Sequence, residues 1–315
     1  MINLALVVET RRIRPTEIKE VAAAVQRQIA RDFAPLWGVD ATVDPFLALE
    51  DVPSGYWPMI VRDDFPGMNI IGIHLDRRGQ PFALIRSSPT WSLTVSHEAL
   101  EMISDPWGNR LMPGGSPRPG QGLVELLVEV CDPPGGIAHA YSVNGYLVSD
   151  FITPNYYDPV PVPGVRYSFT GAITRPRDIA GGGYLAWREP TTQEWWAWDW
   201  VNIPRPVFRP LGQLSDPTMP LRQQVDAFSL NPELFTGAPP DHPKVRAAAE
   251  RLASSRAASQ ANAQGIEDKI RTLTDGRPSS GGNPPNSRPN GPNGPNGPDG
   301  PDLSSGGADS ARRAR

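Results

Sequence analysis

The stretch Trp91-Ser92-Leu93-Thr94-Val95-Ser96-His97-Glu98-Ala99-Leu100-Glu101-Met102-Ile103-Ser104-Asp105-Pro106 decides how the chain is read. Its spacing predicts a helix over about 90–104, ended by Asp105-Pro106 because a residue before proline is driven out of the helical region. At about 100° per residue, His97, Glu98, Glu101, Ser104 and Asp105 share one narrow stripe. Leu93, Val95, Ala99, Leu100, Met102 and Ile103 cover the rest. A solvated acidic face is one reading of that stripe. Its three carboxylates, with no Lys or Arg among them, crowd the end of a helix where the macrodipole already disfavours negative charge, so something positive is expected there. A divalent cation would serve, since His97 and Glu101 at i, i+4 project together one turn apart. Glu98 would then be the general base toward a water on the ion.

Outward from this helix, Ile2 to Glu9 reads as a buried strand. Pro15-Thr16 opens an amphipathic helix with Ile18, Val21, Ala22, Val25 and Ile29 at helical spacing. Strand-like pieces follow around 41–49, 57–62, 70–75 and 82–86, the last two joined through Asp76-Arg77-Arg78-Gly79, a hairpin signal. Beyond a Gly- and Pro-rich loop over 107–120, Leu123 to Val130 is apolar except for Glu125 and Glu129, which share a face at either helix or strand spacing. Residues 138–152 read as a strand pair turning at Asn144-Gly145. Tyr184 to Trp200 reads as an aromatic-rich β-containing piece, its Glu194-Trp195-Trp196-Ala197-Trp198-Asp199-Trp200 alternation packing a strand face or offering a ligand platform.

Composition narrows the function classes. The 315 residues carry 30 basic and 34 acidic side chains, and no basic block interleaved with aromatics, so nucleic acid is not an expected partner. The single Cys131 excludes a disulfide framework within the chain and any multi-cysteine metal site, leaving histidines and carboxylates as the expected ligands. Acidic neighbours disfavour a Cys131 thiolate. The opening lacks a basic leader and a long enough apolar core for a classical signal peptide, and no run approaches membrane-spanning length. The expectation is a soluble chain, cytoplasmic or released by another route. Of the 37 Pro and 30 Gly, many lie toward the C-terminus, where four Gly-Pro-X triplets span Gly291 to Asp302; a flexible tether accounts for them.

Val95 to Glu101 resembles the active-site helix of zincin metallopeptidases, whose pattern is His-Glu-x-x-His, with Glu101 in place of the second histidine. The preceding order of strand, helix, several strands and motif helix is also similar to the N-terminal half of zincins, over about residues 1–106. The wider Ser-His-Glu-x-Leu-Glu-Met-x-x-Asp-Pro pattern and the later Glu129-Val130-Cys131-Asp132-Pro133 look like those of uncharacterised bacterial and phage-type proteins. The resemblance implies a zincin-like mixed sheet with an active-site helix, a divalent ion held by His97, Glu101 and Glu129, and Glu98 as the catalytic base. Asp105, Asp132 and Tyr141 would stand in the second shell or the cleft. Zinc is the first expectation for the ion, but carboxylate-rich ligation also suits Mn²⁺ or Ca²⁺ and weakens the pull on a bound water. His74 would sit on the strand bordering the cleft, as an outward polar residue; His139 is a reserve ligand, and His242 is expected in solvent.

The resulting expectation is an α+β domain over 1–210, an irregular extension over 211–240, a peripheral helix over 241–274 and a disordered tail over 275–315. Two functions fit: a metal-dependent, peptidase-type hydrolase acting on a peptide or protein, or a catalytically inactive zincin-like module with a binding or structural role, in a phage particle or at a surface.

Overall fold

The computed structural model describes residues 1–66, 71–201, 203–217, 219, 221–229, 261, 264–269 and 271. The chain opens with β1 (Ile2–Val8), whose Leu4 to Val7 are fully buried, as expected of a parallel strand covered on both faces. In α1 (Pro15–Gln28), Pro15 occupies the first turn, where its missing N–H needs no partner. Ile18, Val21, Ala22 and Val25 turn inward. A π-helical turn (Ile29–Phe33) and the short α2 (Ala34–Trp37) extend it until Gly38, left-handed at φ 69°, stops the helix.

β2 (Ala41–Phe46), β3 (Tyr56–Arg62), β4 (Gly72–Arg77) and β5 (Gln80–Arg86) join β1 in a five-stranded sheet of order β2-β1-β3-β5-β4. All pairs are parallel except β4 on β5, so β4 is an antiparallel edge. The turn between them places Arg78 and Gly79 at φ 56° and 80°, the left-handed pair of a tight hairpin, and Asp76 Oδ2 accepts the Gly79 N–H at 2.6 Å.

α3 (Trp91–Ser104) carries the motif and packs on β4 and β5. Every residue of α3 except His97 is buried, so even the acidic stripe points into protein. The solvated-face reading fails for that reason.

The second half forms β6 (Leu111–Gly115), β7 (Leu123–Leu127), the hairpin β8 (Tyr141–Val143) and β9 (Tyr146–Val148), then β10 (Tyr184–Arg188), β11 (Glu194–Asp199) and β12 (Val207–Gln213). Asn144 and Gly145, both at positive φ, make the β8–β9 turn. A second five-stranded sheet runs β12-β11-β10-β7-β6, antiparallel throughout. On β11, Trp195 and Ala197 are buried on one face against Leu127, Tyr184 and Ala186, while Trp196 and Trp198 pack half-buried on the other. The main core joins the inner faces of both halves around α1 and α3. The architecture is α+β.

Two boundaries differ from expectation. β12 crosses residue 210, and the stretch 211–240 carries α4 (Leu221–Ser229) rather than being irregular throughout. Pro220 immediately before α4 is a helix-start signal that the surrounding prolines obscured. The described residues among 261–271 are helical and exposed. The rest of the proposed peripheral helix, His242 and the proposed tail lie outside the described residues. Among those residues no helix is long and apolar enough to cross a membrane.

Candidate metal centre

Four segments converge on Glu101. From α3 itself, His97 Nε2 lies 3.3 Å from Glu101 Oε2, the i, i+4 approach that helical spacing dictates. After β7 the chain leaves its strand and runs beneath α3, where the Cys131 N–H donates to Glu101 Oε1 at 3.2 Å. That run brings Asp132 Oδ1 to 3.3 Å from His97 Nε2. From β4, His74 Nδ1 stands 3.7 Å from both Glu98 Oε2 and Glu101 Oε2. From α4, Arg222 Nη1 reaches 2.7 Å from Asp132 Oδ2 and 2.7 Å from Glu129 Oε2.

The approach of this close backbone depends on glycine at two places. A side chain at Gly72 would collide with Glu98 Oε1 and Thr94, so glycine there lets β4 lie against α3 with the Glu98 carboxylate in place. A side chain at Gly183 would run into the Pro133 and Asp132 carbonyl oxygens; that seam is tied by Ala180 N–H to Pro133 O at 2.9 Å and Tyr184 N–H to Asp132 O at 3.2 Å. Asp132 therefore owes its position to the second sheet.

Ligand atoms fall into three overlapping groups, each within 4.8 Å: His97, Glu101 and Cys131; His74, Glu98 and Glu101; Glu101, Glu129 and Asp132. Glu101 is common to all three and is fully buried. Its Oε2 has no hydrogen-bond partner, nor do His74 Nε2 or either Glu129 oxygen, the Arg222 contact missing hydrogen-bond geometry. A buried polar atom left so costs about 1–3 kcal/mol, more when charged. These residues fit a divalent cation: imidazole and carboxylate donors, buried together, with lone pairs unused.

The charges respond accordingly. Burial lowers the His97 pKa, but Glu101, Asp132 and Glu98 outweigh it and hold the imidazole well above its ordinary value. His74 is raised in the same way, against burial, by Glu98 and Glu101. Glu101 is held below the carboxylate range, burial being overcome by His97, Arg222 and His74. Burial, with Glu101 and Asp132 nearby, pushes Glu129 well up against the pull of Arg222. Burial and the Glu101 charge raise the Cys131 thiol well above its ordinary value, which disfavours a free thiolate.

Of the residues singled out in the sequence, His97 and Glu101 meet directly, and Glu129 comes within reach of Glu101. Asp132, expected further out, makes the direct approach to His97, while Glu129 is drawn to Arg222. Asp105 caps the end of α3, accepting the Arg110 N–H at 2.8 Å. Tyr141 is not at the site: its hydroxyl donates to Asp32 at 2.9 Å and accepts from Gln28. His139 joins none of the groups. His74, expected to point outward, is buried on α3. Cys131 corrects the expectation that only histidines and carboxylates stand at ligand distance. Arg222 had no local signal; only the demand for a positive charge beside the acidic stripe pointed to it. No protein-family model, curated protein or solved structure matches this chain.

Proposed function

We propose that the chain is a metal-dependent hydrolase of the peptidase type, with a divalent ion held by His97 and Glu101 and with Cys131, Asp132 and Glu129 in adjoining reach. The observation that carries this reading is spacing. Ligand bonds of about 2.0–2.2 Å at tetrahedral angles put neighbouring donor atoms about 3.3–3.6 Å apart. His97 Nε2 stands 3.3 Å from both Glu101 Oε2 and Asp132 Oδ1, longer than an ordinary hydrogen bond and suited to a shared ion. A thiol within reach and an imidazole favour zinc, whereas the carboxylates also suit Mn²⁺.

Such an ion supplies Lewis acidity toward a carbonyl and a water. The chain's own residues do the rest. Glu98, next along the helix from His97, is the proton acceptor that the resemblance to zincins implies. β4 is the edge of its sheet among the described residues, so its outer backbone is suited to receive an extended peptide by strand addition beside the site.

A second reading, the inactive zincin-like module, is favoured by one observation: the Arg222 guanidinium already meets Glu129 and Asp132 and supplies a built-in cation. Metal analysis of the purified protein, with a mixed peptide library assayed in the presence of Zn²⁺ or Mn²⁺, tests both. The hydrolase reading expects bound metal, cleavage, and loss of metal in His97→Ala. Bound metal without cleavage supports the inactive module, and absence of metal under loading conditions overturns the metal centre.

A further inference from the structure

The second group of ligand atoms, His74, Glu98 and Glu101, shares only Glu101 with the ligands of the ion just described. It is not merely an acidic cluster. His74 enters it from a different element, β4, and is 3% exposed. Glu101 Oε2, fully buried and without a hydrogen-bond partner, is aimed into the space between the two histidines, 3.3 Å from His97 Nε2 and 3.7 Å from His74 Nδ1. Glu98 Oε2 closes the second triangle at 3.7 Å from the same His74 nitrogen. Both 3.7 Å gaps exceed hydrogen-bond length and lie close to the donor spacing around a single ion.

We propose that the site takes two divalent cations, with Glu101 as the shared ligand: one ion on the His97 and Asp132 side, the other on the His74 and Glu98 side. The inference rests on the metal-centre reading above and extends it. Donor chemistry supports it: each ion would meet one imidazole and the shared Glu101 carboxylate, and a neutral histidine on each side is the form that ligates. Two ions bridged by one carboxylate stand about 3.5–4 Å apart, the spacing at which paired metals act on one oxygen-centred substrate. Gly72 is part of the design, because any side chain there would displace the Glu98 carboxylate from His74. Glu98 becomes a ligand in this arrangement, so replacing it removes an ion rather than only a base.

The full chain, stripped with chelator, loaded with excess Mn²⁺ and desalted, is expected to retain two Mn²⁺ per chain, with an electron paramagnetic resonance spectrum showing exchange coupling between them. His74→Gln and Glu98→Gln should each retain one, with the coupling lost. Should His74→Gln fail to fold by circular dichroism, Glu98→Gln and the spectrum of the parent still decide. One Mn²⁺ per chain in the parent, two without coupling, or undiminished content in Glu98→Gln overturns the second ion while leaving the single-ion centre standing. Retention of none overturns both.

Discussion

α3 carries two buried polar clusters, and they are finished to different degrees. At one, Ser96 Oγ donates to Gln28 Oε1 at 2.6 Å and accepts the Ser149 N–H at 2.9 Å. Gln28 Nε2 reaches the Ser149 carbonyl at 2.8 Å and the Tyr141 hydroxyl, which passes on to Asp32 and its Arg31 partner. Each donor there meets an acceptor. At the other, about one turn along the same helix, Glu101 and the facing Glu129 keep oxygens without a hydrogen-bond partner, in contact with His97 and Arg222 as ion pairs only. The same helix, equally buried, thus holds one network whose hydrogen bonds close on themselves and one that leaves carboxylate oxygens without hydrogen bonds. Complete networks fix a fold, while unfinished ones mark where a ligand contributes.

That contrast can be broken by mutation. The largest effect is expected from Gln28→Leu, which leaves the Ser149 carbonyl without its side-chain donor and the Ser96 hydroxyl without its acceptor, and takes one bond from the Tyr141 hydroxyl: a loss of about 3 kcal/mol or more in chemical denaturation, the same with and without metal. A loss that disappeared on adding Zn²⁺ would mean that the two clusters are not independent.

Glu101→Gln should behave differently. In chelator it should weaken the fold, by up to about 3 kcal/mol, because the raised His97 and His74 lose the buried carboxylate that they face. The stabilisation expected of the parent on binding metal, about 2.7 kcal/mol at a hundredfold excess over Kd, should vanish. A thermal shift with Zn²⁺ that survives the substitution would remove Glu101 from the centre.

Acidity sharpens the comparison further. His97 and His74 are both raised in the fold, so their contribution is fully present below about pH 6.5 and is lost as pH rises through their folded values. The raised Glu129 acts in the same direction, its contribution fading as pH rises above the ordinary carboxylate value. Ion-free protein should therefore lose stability between pH 6 and 9, and the gain on adding metal should grow over that range, because binding releases those protons. A metal-induced shift in Tm that shrinks with rising pH would contradict this.

The smallest effect is expected at α4. Arg222→Met leaves Glu129 and Asp132 without their guanidinium, which should weaken the ion-free protein by about 1–3 kcal/mol and the metal-loaded protein less. Titration calorimetry should show tighter metal binding by a few fold, since a competing charge is gone. Weaker binding would mean that Arg222 orients the carboxylates for the ion rather than competing with it.

Periodicity made much of this readable beforehand. The alternating and continuous apolar runs marked the strands, two positive-φ turns marked both hairpins, and the 3.6-residue period placed His97 beside Glu101. Those are short-range properties of the backbone. Choosing between Glu129 and Asp132 was not of that kind, because the chain leaves its regular strand after Leu127 and no period governs where the next side chains point. His74 was hidden by a rule that held elsewhere, alternation in a half-exposed strand, which lapses where α3 covers His74 on one face of β4 and Phe65 covers Ile73 on the other. Arg222 lies 90 positions from its partner Asp132, and a proline-rich approach disguised its helix.

The glycine seam at Gly183 has a consequence for how such chains arise and are recognised. The His-Glu-x-x-Glu helix and its sheet are complete by residue 104, yet Asp132 is docked by backbone that appears only after residue 179. A gene fragment, splice form or fusion carrying the first half alone would keep the whole motif and forfeit the pocket built on it. Tallying such motifs across genomes would then overestimate assembled clusters of this kind, whereas pairing the motif with a downstream small-residue Gly181-Gly182-Gly183 seam would count them.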